Sequence, residues 1–465
     1  MRRLVTAGRK PILITDDSNC VHLTCEEQLF DYFAAGSKPK ASWAIGTEHE
    51  KFPFRLSTMQ PVSYDETKGI RDLLHVLKVY GWQDITERGN VIGLRRGGAI
   101  ISLEPGGQVE LSGRPVANLH ETAAEIDQHL EELREIERLL DIGFLGIGYH
   151  PTAKGDAISW MPKQRYAMMR DYLPTRGRCG LDMMKRTCTT QVNLDYADEA
   201  DMVIKMRLAL ALQPVATALF AASPFAEGMV NGYQSWRMAM WQDTDPDRCG
   251  ALPLVFADDF GFARYAAYAL DVPMFFVKRG ETLINAAGQS FRDFMAGSLP
   301  ALPGAYPTAD DWALHLSTLF PDVRLKQYLE LRGADCGNAE LILALPSFWT
   351  GLLYDETARA AAWDIVADWT EAERQYLHQE VPKQGLHLPF RDGKVQDIAH
   401  KAVILAQQGL RRRAVRLHGG ADETRYLDGL FMITESGVSY ASDLIARLEH
   451  QWHGKIEHIF TDCRL

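Results

Sequence analysis

The sequence predicts an α+β fold built on an antiparallel or mixed sheet, and three observations carry that expectation. Four short stretches alternate polar and apolar residues with the period of two that marks a strand: residues 43–52, 100–112, 189–195 and 326–332. Long helical patterns are present but do not interleave with these strands in a βαβ rhythm. The alternation also leaves each strand one apolar and one polar face, which suits a sheet with one face on a core and the other open.

The elements follow in chain order. Residues 24–36 and 66–80 carry helical spacing; in the second, Ile70, Leu73, Leu74, Leu77 and Tyr80 fall on one stripe. Within 100–112, Pro105-Gly106-Gly107 reads as a tight turn between two short strands. The clearest helix spans 118–142, with Leu119, Ala123, Ile126, Leu130, Leu133, Ile136 and Leu139 inward and Gly143 as its stop. Residues 143–160 read as strand and loop. A long helix over 199–222 follows the third polar strand; its apolar part, Leu208 to Ala222, contains Gln213 and Pro214 and is shorter than a bilayer span, so a buried helix is expected. From about 309 the chain is mainly helical around the strand near 326–332, with last helices over 338–353, 356–379, 395–411 and 438–452. With no repeat, low-complexity tract or flexible linker, one catalytic domain over 1–465 is expected, mainly helical from about 356.

Bulk properties narrow the class. Hydrophobic residues make up 46% and charged residues 24%, an ordinary soluble composition. The net charge of −11 argues against nucleic acid as the main partner. The start, Met-Arg-Arg-Leu, lacks a long apolar core and a cleavage site, so no secretory signal is expected. Seven cysteines form no C-x-x-C pair, which reads as reduced thiols. The expectation is a soluble cytoplasmic protein with no membrane or nucleic-acid partner, monomeric or homodimeric.

The chemistry lies in which side chains share a face. Glu48 and Glu50 point the same way, next to Phe52 and Phe54; so do Gln191 and Asn193, and Glu330 and Arg332. Glu104 and Glu110 flank the Pro-Gly-Gly turn, in arms too apolar for an exposed hairpin. Each pair has a bland counterpart, such as solvated acids, satisfied amides or a same-face ion pair. Together they gather carboxylates that repel one another unless cations sit between them. Oxygen donors without a Cys/His cluster suit Mg²⁺, or Mn²⁺, better than zinc. Such a site points to phosphoryl transfer, with Arg95, Arg96, Lys163, Arg170, Arg248, Arg292 and Arg332 as candidate clamps. The P-loop, dinucleotide and protein-kinase signatures are absent.

The strings that carry these residues resemble a known family. Gly46-Thr-Glu-His-Glu-Lys-Phe52, Ser102-Leu-Glu-Pro-Gly-Gly-Gln-Val-Glu-Leu-Ser-Gly113, Arg186-Thr-Cys-Thr-Thr-Gln-Val-Asn-Leu-Asp195, Phe291-Arg-Asp-Phe-Met-Ala-Gly297 and Leu325-Lys-Gln-Tyr-Leu-Glu-Leu-Arg-Gly-Ala-Asp335 are similar to glutamate–cysteine ligase of the plant and proteobacterial type. The resemblance implies a glutamine synthetase-like fold, a curved antiparallel sheet forming a funnel with helices outside. It implies ligation of L-glutamate to L-cysteine with ATP as co-substrate, through a γ-glutamyl phosphate, in the first step of glutathione biosynthesis. Carried over by position, Glu48, Glu50, Glu104, Glu110, Gln191 and Glu330 resemble the metal shell, and Arg332, Glu330 and Glu110 the catalytic set. Arg248, Trp241, Tyr265, Asn193 and Arg292 resemble substrate-binding residues. Plant members are controlled through disulfides; Leu343 and Ala344 stand here where such a cysteine is expected, which favours a free, buried Cys188. A ligase for a different amine, a binding protein on the same fold and a phosphagen-type kinase are the rival readings.

Overall fold

The computed structural model describes residues 22–417 and 419–465. The start of the chain, with Cys20 and the residues on which the absence of a signal was read, lies outside them.

The alternating stretches form one nine-stranded sheet. Its strands are β1 (Ile45–Arg55), β2 (Gln83–Glu87), β3 (Asn90–Arg96), β4 (Ala99–Leu103), β5 (Val109–Ser112), β6 (Ile142–Leu145), β7 (Thr189–Leu194), β8 (Val323–Leu325) and β9 (Leu329–Asp335). They run in the order β8-β9-β7-β1-β5-β4-β3-β2, and β6 pairs with the far half of β1. Every pairing is antiparallel, and among the described residues β8 and β2 remain as open edges.

Five helices set the site. In α1 (Leu119–Leu140), Asn118 caps the first turn by accepting from the Glu121 N–H. The buried α2 (Glu199–Leu219) is capped by Asp198. It is long and apolar enough to cross a membrane by length and composition, yet packs within the fold. The short α3 (Trp236–Gln242) is capped by Ser235. Behind β7, α4 (Ala339–Leu353) is backed in turn by α5 (Val395–Arg413). One apolar body joins α2, α4 and α5 to β7 and β9 through Val192, Leu194, Leu329 and Leu331. A second lies under α1, β4 and β5, with Phe52, Phe54, Ile101, Leu103 and Val109.

Three expectations change. The polar face of the sheet is enclosed rather than open: β1 is buried along almost its whole length. The period of two reports which side chains share a face, but not what later packs over it. The helix expected over 356–379 is two helices, Glu356–Val366 and Glu371–Gln384, because Thr370 and Glu373 form a capping box that starts the second. The strands β2 and β3 and the helix Asp428–Ser436 are additions.

Candidate active site

Register places the acids. Glu48 of β1 pairs with Gln191 of β7 and with Ser112 of β5, and Glu50 lies directly opposite Glu110. Glu110 in turn faces Ser102 of β4. Glu104 opens the tight turn between β4 and β5, where Gly107, at φ +88°, donates its N–H to the Glu104 carbonyl at 2.8 Å. Only glycine takes that conformation without strain. On β9 the register slips by one residue between Leu331 and Ala334, a bulge beside Arg332.

These side chains line a cavity of about 490 Å³. Glu48, Glu50, Glu104, Glu110, Gln191, Glu330, Arg332, Trp241 and Lys163 all face it. Asn193 stands at its margin, donating from Nδ2 to Glu48 at 2.6 Å. Charge is graded across the sheet: β8 and β9 bring Arg324 and Arg332, β7 is neutral, and β1 and β5 are acidic. Met169, Met183, Met184 and Phe320 supply apolar wall.

The acids divide into two groups. Burial pushes Glu48 up to about 7, reinforced by repulsion from Glu330 and Glu110. Glu50 is raised by burial and by Glu104 and Glu110, and Glu104 and Glu110 are also raised, burial leading. Their direct hydrogen bonds are to neutral donors, with the Thr189 N–H reaching Glu50 at 3.0 Å and the Ser102 hydroxyl reaching Glu110 at 2.7 Å, while Lys163 opposes the rise at Glu104 and Arg237 that at Glu50 from beyond ion-pair distance. Glu330 is equally buried, but Arg324 at 2.5 Å, Arg332 at 3.1 Å and Lys326 at 3.5 Å hold it well below the ordinary range. Arg332 also donates to Gln191. Among the described residues, no three His, Cys, Asp or Glu side chains are gathered as a ready-made metal cage. The chemistry of the donor set nonetheless suits a hard divalent cation at Glu48, Glu50, Glu104 and Glu110, four crowded carboxylates that make no close ion pair among the described residues. Gln191 and Glu330 fit it less well, since arginines already occupy their oxygens.

Three expected substrate residues lie elsewhere. Arg248 is fully buried and committed: it donates to Asp245 at 2.6 Å and to the carbonyls of Thr318 and Pro273. Tyr265 is a core residue whose hydroxyl accepts from the Leu325 N–H at 3.1 Å. Arg292 is on the surface, tied to Asp271 and Glu26 at 2.8 and 2.7 Å. Arg170 pairs with neighbouring Asp171 and does not line the cavity. Arg96 bonds Glu132 and lies over Trp82, while exposed Arg95 is likewise off the cavity.

Sequence reasoning passed over Arg237. It lines the cavity, is 2% exposed, and has Nε and Nη1 buried without a partner, while Nη2 donates to the Arg332 carbonyl at 3.1 Å. A buried guanidinium with two N–H groups to spare has the chemistry to pair with a carboxylate or phosphate oxygen. The available signal was Trp241, four residues on in the same helix and so on the same face.

Residues 44–462 match the model of glutamate–cysteine ligase family 2. The chain belongs to that family. It is 50% identical to glutamate–cysteine ligase B, chloroplastic, of Oryza sativa subsp. japonica, over 94% of this chain and 86% of that one. It is 48% identical to the chloroplastic glutamate–cysteine ligase of Arabidopsis thaliana, over 94% and 82% of the two chains. A crystal structure of Francisella tularensis glutamate–cysteine ligase in complex with AMP shares the fold at a TM-score of 0.54 and 13% identity, covering 92% of this chain and 88% of that one. The expectations of this family, of a ligase and of an α+β fold therefore hold. The expectation of a cytoplasmic protein is overturned, because these plant relatives are chloroplastic proteins. Reduced thiols and mild acidity do not tell one reducing compartment from another. Every described cysteine is free, and Cys188 is buried as expected.

Proposed function

We propose that the protein joins the γ-carboxylate of L-glutamate to the amine of L-cysteine, consuming ATP and releasing ADP and phosphate, as the first step of glutathione synthesis. The observation that carries this is the cavity itself, where four crowded carboxylates with raised pKa values face a row of cations in a chain of this family.

Glu48, Glu50, Glu104 and Glu110 would hold Mg²⁺ or Mn²⁺, which when bound would neutralise charge where ATP meets a carboxylate. The protein's own contribution is positioning and charge. Arg237 takes the α-carboxylate of glutamate with its free Nε and Nη1. The γ-carboxylate oxygen then attacks the γ-phosphorus of ATP, the bond to ADP breaks, and an acyl phosphate forms. Arg332, held by Gln191 and Glu330, stabilises the transferring phosphoryl group. The cysteine nitrogen attacks the acyl carbon, the carbon–oxygen bond breaks, phosphate departs and the amine loses its proton. Trp241, Phe320 and the three methionines limit water, which would otherwise hydrolyse the intermediate. No protein nucleophile takes part.

The test is phosphate release from ATP–Mg²⁺ with glutamate alone, cysteine alone and both, with mass detection of product. Release requiring both, matched by γ-glutamylcysteine, is expected. Release with another amine in place of cysteine changes the substrate; no release under any pairing ends the ligase reading.

Two further results are expected. Arg237→Gln should raise the KM for glutamate about 100-fold with a smaller effect on the KM for ATP, by loss of a buried charge-assisted pair; equal KM values for glutamate in the two proteins would remove Arg237 from that role. The raised carboxylates also predict how stability depends on pH. An unfolded Glu titrates near about 4.3, so groups raised in the fold favour folding below that pH. Their contribution is lost as pH rises through the folded values, about 7 for Glu48. The Tm in EDTA should therefore fall from pH 5 to pH 8, and the rise in Tm on adding Mg²⁺ should grow over the same range. Parallel Tm curves with and without Mg²⁺ would count against these acids as its ligands.

A further inference from the structure

We propose that Asp335 is a positioning residue for ligation: it anchors the first turn of α3 and thereby holds Arg237 in the cavity as the glutamate clamp. This rests on the reading of Arg237 given above. Asp335 ends β9 and is 3% exposed, and no Lys or Arg nitrogen lies within ion-pair distance of it among the described residues. Three donors converge on it instead. Its Oδ2 accepts from the Ala222 N–H at 2.9 Å and the Ser223 hydroxyl at 2.6 Å; its Oδ1 accepts from the Ser235 hydroxyl at 2.8 Å.

Both hydroxyls pass the constraint on. Ser223 Oγ accepts from the Arg237 N–H at 3.1 Å, and Ser235 Oγ accepts from the Met238 N–H at 3.2 Å. The side-chain hydrogen bonds that fix the start of α3 thus end on one carboxylate. A carboxylate only accepts, so each hydroxyl gives its proton to Asp335 while its oxygen accepts the backbone N–H. An amide there would present one acceptor oxygen and one donor nitrogen to three donors. Gly148 packs directly against the carboxylate, since a Cβ built on it would lie 2.5 Å from the Asp335 Cγ.

Charge adds to geometry. Burial works against the Arg237 cation, as does nearby Arg332, and Asp335 leads the groups that favour it, ahead of Glu50. Asp335 thus sets where the guanidinium sits and favours its charge, without touching substrate.

The experiment compares kcat and the separate KM values for glutamate, cysteine and ATP in Asp335→Asn, Arg237→Gln and the double variant. Asp335→Asn should raise the glutamate KM about tenfold to 100-fold, the range for groups that orient a functional residue. The KM for ATP should change little, and the double variant should be no worse than Arg237→Gln alone. If Arg237→Gln raises the glutamate KM and Asp335→Asn does not, or raises all three alike, the positioning role is wrong and the clamp stands. If Arg237→Gln leaves the glutamate KM unchanged, the clamp reading fails and this inference fails with it. Should Asp335→Asn not fold, Ser235→Ala removes one link of the chain and is judged by the same criterion.

Discussion

Replacing Glu50 or Glu110 by glutamine is expected to cut turnover by at least about 100-fold, above the loss typical of residues that merely support a ligand. The same variants should be as stable as the parent, or more stable, when metal is withheld. Both effects come from one cause. Glu50 and Glu110 face each other across β1 and β5, and burial, followed by repulsion from Glu104, opposes the charge on each. Glutamine keeps the shape and the acceptor oxygen: the Thr189 N–H and the Ser102 hydroxyl, which donate to the two acids, retain a partner. What it removes is charge, which costs the metal-free fold and serves the loaded one. Steady-state phosphate release and thermal unfolding in EDTA should therefore move in opposite directions. Full activity in either variant would take that residue out of the metal shell. Lost activity with lost stability would recast it as structural.

The acids were legible because a strand's alternation is local: Glu48 and Glu50 share a face whatever surrounds them, and Pro105-Gly106-Gly107 closes the β4–β5 hairpin on its own terms. The family strings then joined four separated segments before any contact was known. The clamp was not legible, because choosing between Arg237 and Arg248 depends on packing. Both lie in the same stretch of chain, but Asp245, three residues before Arg248, takes that guanidinium into the core. Arg292 was lost to Glu26, which is 266 positions away. Nor could alternation foretell that the polar face would be closed over, since its cover comes from residues outside the sheet, in 163–169, 183–187, 237–241 and 317–320.

The helical C-terminal region, whose role the sequence left open, bears on the same site through two glycines. Gly351 of α4 and Gly409 of α5 let the helices cross backbone to backbone. A Cβ on Gly409 would overlap the Gly351 carbonyl oxygen, and a Cβ on Gly351 would overlap that of Ala406. Helix propensity alone favours alanine over glycine by about 1 kcal/mol. The overlap opposes it and is with backbone, which has no rotamer by which to yield. Gly409→Val is therefore expected to destabilise by at least about 3 kcal/mol, at the upper end for overpacking, with Gly409→Ala smaller in the same direction. Because α4 packs on β7, which carries Gln191 and Asn193, displacement of α4 should reach the cavity as well as the core. Denaturant unfolding of the two variants checks the first effect; the kcat of whatever remains folded checks the second. A Gly409→Ala protein more stable than the parent would show that the crossing has room, and that helix propensity governs this position.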